Sequence, residues 1–479
     1  MHIKMILPAL IEAKSPFWRP IKYSLFPPLG LATLAGHVSN FDTVEIVDEH
    51  VEYLDTSDCP HLVLIQVYIT NAYRAYKIAD FYRNKGCYVI LGGLHVTALP
   101  DEAAIHADSI FTGPADATFP EFLSDFKNGK PKKVYTSSVR NIKHIPALRR
   151  DLIKRDKYLV PNSISVSRGC IHSCDFCYKD SFFKGGKSFY TMLVDKALEE
   201  IESLPGRHLY FLDDHLFADR RFISELFEGM RGMNRVFQGA ATVQSVLETD
   251  LVEKATNAGL RSLFVGFETL NIENLKQSNK YHNLNNDYNL AIKRLHNYGV
   301  MINGSFVFGL DDDDEYVFQR TVEWAVNQSI TTATFHILTP YPGTVLYRKM
   351  DSENRIISKN WDLYNTRNVV FKPARLTENQ LQKGYDNAYR EFYSWANIFK
   401  ASTGHTSFKH FVKHLGYTGA WKKMEPLWNF IIKSGALPFA RPWLEAVLSE
   451  IRKAGNNSHN ITQSENENMK KSHAVLSNN

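Results

Sequence analysis

Three of the chain's five cysteines, Cys170, Cys174 and Cys177, fall in the stretch "RGCIHSCDFCY" (168–178) with the spacing C-x3-C-x2-C. Thiolates that close together hold a metal or a cluster, or act in catalysis. A disulfide framework wants an even, dispersed set in a small secreted chain. This chain is long, its first residues lack the continuous apolar core of a signal peptide, and it contains no run of eighteen apolar residues. The expectation is a cytoplasmic protein with reduced thiols. A structural zinc ion wants four ligands, and only His172 offers itself as the fourth, in a strained Cys-x-His-x-Cys wrap. Three thiolates also suit a [4Fe–4S] cluster whose fourth iron is left open to chelate the amino and carboxylate groups of a substrate. Cys59 and Cys87, far upstream in apolar sequence, form no second set.

A framework must hold such a trio, and its pattern is legible. The first 140 residues alternate apolar runs ("HIKMILPA", "TVEIVD", "LVLIQVYI", "YVILGG", "SIFTG") with helical patterns such as "NAYRAYKIADFYRNKG". Runs apolar on both faces predict parallel strands covered by helices on each side. Five of them suit an α/β, flavodoxin-like (Rossmann-like) sheet, which binds ligands beyond the carboxyl ends of its strands. Those ends carry Thr70, Gly92 and Gly93 followed by His95, and Gly113; the glycines permit close backbone approach. Residues 141–162 read as a linker. From 163 to 350 a second alternation has "ISVSRG", "HLYFLDD", "FQGAATVQS", "SLFVGFET", "MINGSFVFGL" and "TATFHILTP" as strands. Six β/α units predict a partial (β/α)6 TIM-type barrel, with its chemistry at the strand carboxyl ends. The cysteines, Asp213, Asp214, Gln244 and Glu268 all stand there. Paired acids also cap helices, and "DDDD" (311–314) is expected in a solvated turn. A helical, aromatic region (351–455) and a polar, disordered tail (456–479) complete the chain.

C-x3-C-x2-C with the aromatic Phe176 before its last cysteine, after the first strand of a six-unit barrel, resembles the radical S-adenosylmethionine (SAM) superfamily. The resemblance implies a [4Fe–4S] cluster that cleaves SAM reductively to a 5′-deoxyadenosyl radical. "FLDDHLF" (211–217) is similar to the family's D-D-x-F stretch, which gives Asp213 or Asp214 the SAM amino group. "VGFETLN" (265–271) is similar to its G-x-E-S stretch and makes Glu268 a SAM contact. Phe176 and Gln244 complete the implied SAM set, with Gln244 standing where relatives often carry Arg.

"PPLGLATLAGHV", "GGLHVTALPDEA" and "DSIFTGPADATFPEFL", in that order ahead of the barrel, resemble the cobalamin-binding subgroup of the superfamily. Thr70, Gly92, Gly93, His95 and Gly113 are the implied cobalamin contacts. The third piece departs, with Gly113-Pro114-Ala115-Asp116 in place of G-E-G-E. Asp48-x-His50 matches part of a cobalt-ligating D-x-H-x-x-G loop, but Tyr53 replaces its glycine and the piece follows the second strand. His50 is therefore expected at the surface, with no histidine of this domain below the cobalt. The resemblance covers roughly residues 1–350 and implies methyl transfer to an unactivated carbon, one SAM methylating the cobalt and a second generating the radical. Ring formation or rearrangement without methyl transfer is the alternative, and a cluster-and-cobalamin sensor the distant one.

The net charge of +5 over 479 residues is local. Residues 401–455 carry eight Lys/Arg against three Asp/Glu, a surplus of five, and the rest balances. A nucleic-acid partner is not expected. The basic, aromatic stretch 408–428 could rest on an anionic membrane surface. The expected partners are a small-molecule, lipid or peptide substrate and an electron donor such as flavodoxin or ferredoxin.

Overall fold

The computed structural model describes residues 1–10, 25–248, 250–284, 286–405 and 407–423. The helical pattern predicted for 424–455 and the polar tail lie outside the described residues.

In the first domain β1 (His2–Leu7), β2 (Thr43–Asp48), β3 (Leu62–Gln66), β4 (Tyr88–Gly92), β5 (Ser109–Thr112) and β6 (Val134–Thr136) form one sheet in the order β2-β1-β3-β4-β5-β6. Every pair is parallel. Alternate residues feed two cores. Ile6, Val63, Ile65, Val89 and Leu91 pack under the helix Ala72–Asn84, while Ile3, Met5, Leu62, Leu64 and Ile90 pack with the helices Leu29–Ala35 and Thr118–Lys127. This period of two with both faces apolar is what the sequence predicts. The sixth strand was not expected: it is three residues long, and only Tyr135 in it is buried.

The second sheet uses β7 (Ser163–Ile164), β10 (His208–Phe211), β11 (Val236–Ala241), β12 (Leu260–Glu268), β13 (Met301–Phe308) and β14 (Thr332–Ile337). Its order is β14-β13-β12-β11-β10-β7, an open, all-parallel barrel. Between β7 and β10 lie β8 (Ser167–Gly169) and β9 (Phe189–Thr191), an antiparallel pair that frames the cysteine loop. The single strand expected over "ISVSRG" is thus broken. Asp213 causes the break, because its carboxylate accepts the backbone N–H groups of Val166 and Ser167 where a neighbouring strand's carbonyls would.

An open barrel leaves an edge strand with unpaired backbone groups. Here β14 is covered by tyrosines of the helix Glu378–Phe392 and the residue that follows it. The Tyr389 hydroxyl donates to the Phe335 carbonyl and accepts from its N–H, each at 3.1 Å. Tyr393 does the same for Ala333, at 2.8 and 3.1 Å. The register follows from geometry: four helical residues rise about 6 Å and two strand residues about 6.6 Å. Ile337, the next outward-facing residue, donates to the Thr366 carbonyl at 2.8 Å. The aromatic run thus covers the barrel's open side, although Trp395 stays exposed. Tyr389→Phe should cost about 1–3 kcal/mol by stranding two backbone groups. Denaturant unfolding of Tyr389→Phe beside wild type checks this.

Two local expectations are corrected. Asp313 of the "DDDD" run is not solvated but buried, accepting from the Gly309 and Leu310 N–H groups and from Asn274; burial pushes its carboxyl up to about 7. His50 is buried rather than at the surface, held 2.7 Å from Asp48, which also accepts from the Tyr158 hydroxyl.

Candidate active site

Gly169 ends β8 at φ 78°, and a Cβ there would lie 2.0 Å from the Ser188 carbonyl, so the turn into the cysteine loop requires glycine. The loop is tied down on three sides: Cys170 N–H donates to Ser188, Asn279 donates to the Ser173 carbonyl at 2.7 Å, and Leu346 N–H donates to Asp175. Cys170, Cys174 and Cys177 are half-buried free thiols. Among the described residues, no three ligand atoms drawn from these cysteines and His172 lie within 4.8 Å of one another. One tetrahedral zinc ion would draw its sulfurs to within about 4 Å. A cluster spreads its ligands wider, and the spacing of the trio is compatible with [4Fe–4S]. Cys59 and Cys87 sit elsewhere, at the amino ends of β3 and β4, with their Sγ atoms 3.2 Å apart. Cys59 is exposed rather than in apolar surroundings.

The mouth residues divide. Glu268 ends β12 at a register shift with φ 64°, a conformation rare outside glycine and asparagine, which turns its carboxylate into the mouth. There it is paired with the buried Lys280, whose ammonium also lies 6.0 Å from the Phe176 ring. Asp213 is committed to Ser167, through its backbone and hydroxyl, and burial pushes its carboxyl up to about 6. Asp214 reaches the open space instead: it accepts from the Tyr178 hydroxyl at 2.9 Å, and the enclosing protein raises its pKa. Gln244 is exposed on the short helix Val243–Leu247, next to Ser245, whose hydroxyl lies 3.3 Å from His215.

Three residues that sequence reasoning missed pack on the loop. His172 stacks on His282 with ring centroids 3.6 Å apart and faces His215 at 5.4 Å. His215 Nδ1 lies 4.0 Å from Cys170 Sγ, and its Nε2 is 3.3 Å from Ser245 Oγ. Burial, with Lys280 adding repulsion, pushes His172 down to about 4 and His215 and His282 to about 3. His215 adjoins the recognised acids and was within reach of the sequence; Lys280 and His282 arrive from a later turn that carries no local signal.

The first domain faces this loop across three adjoining cavities. Gly92, Gly93 and Gly113 line an apolar slot of about 190 Å³ with Leu31, Leu64 and Phe119. Thr70 and His95 line a second, of about 390 Å³, with Tyr178, Tyr341 and Thr366. Cys174 and Cys177 border a third, of about 800 Å³, with Thr97, Gly113 and Thr344. The "GGLHVT" loop separates them. Gly93 adopts φ 121°, and a Cβ on it would lie 2.7 Å from the Val67 carbonyl. Its backbone therefore lies directly against the end of β3. The Gly113 amide, expected to meet a ligand, is taken by Thr97 Oγ1 at 2.9 Å. His95 is likewise engaged, its Nε2 3.0 Å from Glu102 and its ring against Trp361.

Comparison with known proteins matches residues 164–325 to the radical SAM superfamily. Bacteriochlorophyllide d C-12(1)-methyltransferase of Chlorobaculum tepidum is 30% identical over 394 residues, covering 79% of this chain and 85% of that protein. Hopanoid C-2 methylase of Rhodopseudomonas palustris is 24% identical, covering 70% and 66%. Among solved structures, the radical SAM methyltransferase TsrM of Kitasatospora setae with cobalamin and a [4Fe–4S] cluster aligns with a TM-score of 0.62 at 14% identity, over 91% of this chain and 99% of that one. The cobalamin-dependent SAM radical enzyme OxsB with aqua-cobalamin and SAM aligns at 0.64 and 13%, over 94% and 76%.

Proposed function

The chain belongs to the radical SAM superfamily, in the branch that carries a cobalamin-binding domain, and on that premise we propose that it methylates an unactivated carbon. The observation that carries this reading is the placement of the cysteine loop against the "GGLHVT" loop, with adjoining cavities between them. When bound, the cluster supplies reductive cleavage of SAM and cobalamin carries the methyl group.

The chain's own residues bind, orient and exclude water. Cys170, Cys174 and Cys177 hold the cluster. Glu268, fixed by Lys280, and Asp214, fixed by Tyr178, offer carboxylates toward a SAM amino group. The buried Lys280 supplies a cation beside the mouth that Gln244 does not. Asp213 holds the break between β7 and β8 that aims the loop. The slot at Gly92 and Gly93 is mainly apolar, with Gln66, Asp116 and Arg168 also in its walls, and open to close backbone approach, which suits the flat base of a nucleotide tail; the wider cavity at Thr70 suits the corrin. The closely packed rings of His172, His215 and His282 around the loop keep water away from a radical.

Two relatives are named for ring-system substrates, a bacteriochlorophyllide and a hopanoid. That favours a large, polycyclic, mainly apolar substrate over a peptide. No helix among the described residues is long and apolar enough to cross a membrane. The helix Phe408–Leu415 does present Phe408 and Val412 to solvent beside Lys409, which supports peripheral contact with an anionic surface. A flavodoxin- or ferredoxin-type protein would supply electrons. The test is the product pair: reduced, cofactor-loaded enzyme given SAM should form S-adenosylhomocysteine and 5′-deoxyadenosine together. 5′-Deoxyadenosine without S-adenosylhomocysteine would instead support ring formation or rearrangement.

A further inference from the structure

We infer that residues 358–366 form a strap that sets the spacing between the cobalamin cavity and the cluster loop, with Thr366 as its strained contact point. The inference rests on the reading that this chain binds both groups.

One end of the strap is sunk in the first domain. Trp361 and Tyr364 belong to the core beneath the helix Ala72–Asn84. Trp361 Nε1 donates to both oxygens of Glu102 at 3.2 Å. Glu102 also accepts from the Tyr76 hydroxyl and meets His95 Nε2, so the strap is fastened to the loop that lines the cofactor cavities. Tyr73 adds a hydrogen bond to the Lys359 carbonyl, and Tyr364 one to Ser358. The other end is fastened to the barrel. The Thr366 carbonyl accepts from Ile337 N–H at 2.8 Å, and Thr366 Oγ1 lies 3.1 Å from His336 Nδ1. Between these anchors, Tyr364, Asn365 and Thr366 form one wall of the 390 Å³ cavity, facing Thr70.

Thr366 has φ 63°. For a β-branched residue that is an outlier, costing about 1–3 kcal/mol. Elsewhere among the described residues such positions hold Asn234, Asn279, Asn354 and Ser329, none of them β-branched. Glu268 and Thr366 are the two exceptions that stand at the site. A connector serving architecture alone would be better made with glycine or asparagine at 366. A strained residue held by the barrel, two residues after a tyrosine sunk in the first domain's core and at the point where the cavity wall passes from one domain to the other, is instead a spacer. Two centres that must act on one substrate need such a fixed separation.

The separation can be read directly. The full chain, reconstituted without oxygen and loaded with cob(II)alamin, carries two paramagnetic centres once its cluster is reduced, and their dipolar splitting in electron paramagnetic resonance reports the distance. Wild type should show one resolved splitting. Thr366→Gly relieves the strain and frees the backbone at 366, so its melting temperature should not fall; because Thr366 lines the corrin cavity, the splitting is read only in molecules that hold both cluster and corrin, and there the resolved splitting should be lost. Trp361→Phe, which releases the anchor at Glu102, should lose it too. An unchanged splitting in both variants, with both centres present, would make the strap plain architecture and overturn the inference. Absence of the corrin band from wild type would overturn the cobalamin reading itself, and the inference with it.

Discussion

Replacing Cys174 with Ser is expected to bring 5′-deoxyadenosine formation down to background and to strip the iron from the protein. The loss should exceed the about 10–100-fold that removing even an outer-shell partner of a metal costs, because the proposed role of this residue is that of a ligand. The loop itself should survive. Its anchors are Asn279 on the Ser173 carbonyl, Leu346 on Asp175, and Gly169 against Ser188, and none of them uses the thiol. Iron per chain, 5′-deoxyadenosine yield and the melting curve therefore separate a lost cluster from a lost fold. Cys59→Ser is the matched control, since Cys59 lies at the opposite end of the first sheet beside Cys87. Full iron content in Cys174→Ser would refute the ligand assignment.

Gly93→Ala should carry the second large effect, and on the other cofactor. At φ 121°, with the Val67 carbonyl 2.7 Å from where a Cβ would stand, alanine forces the loop off the end of β3. The backbone strain alone is about 1–3 kcal/mol, which corresponds to about 5–150-fold in affinity. Corrin retention should fall by that order while iron stays at the wild-type level. Gly129→Ala is the comparison: it too has positive φ, at 69°, but a Cβ there meets nothing within 4 Å, and Gly129 lines none of the three cavities. It should lose some stability and no corrin. Equal corrin retention in Gly93→Ala and wild type would remove the "GGLHVT" loop from the cofactor site.

What the sequence carried to the fold was whatever is local. The first domain's parallel strands β1 to β5 were legible because they bury apolar residues within four to six residues, and the cysteine loop because three cysteines fit in eight. Five of the barrel's strands, β10 to β14, follow the same logic, down to Glu268 at the end of β12, whereas the one expected over "ISVSRG" is broken. What was not legible comes from partners far apart in the chain. Asp213 reads as a helix cap or SAM contact, yet its partner is Ser167, 46 residues away. Lys280 reaches the mouth only because the turn after the helix Ile272–Gln277 folds back onto the cysteine loop. Trp361 meets Glu102 across 259 residues, which no local pattern announces. His50 and Asp313 looked solvated because their neighbours are polar; tertiary burial overrode that appearance.

Cobalamin binding is the claim on which the rest depends, and it is measured most directly in protein reconstituted with iron and sulfide without oxygen, given hydroxocobalamin and freed of excess. The account predicts one corrin per chain in the visible spectrum alongside the broad absorption of the cluster. A full cluster with no retained corrin would contradict it, and would leave the first domain as a docking module in front of a radical SAM barrel.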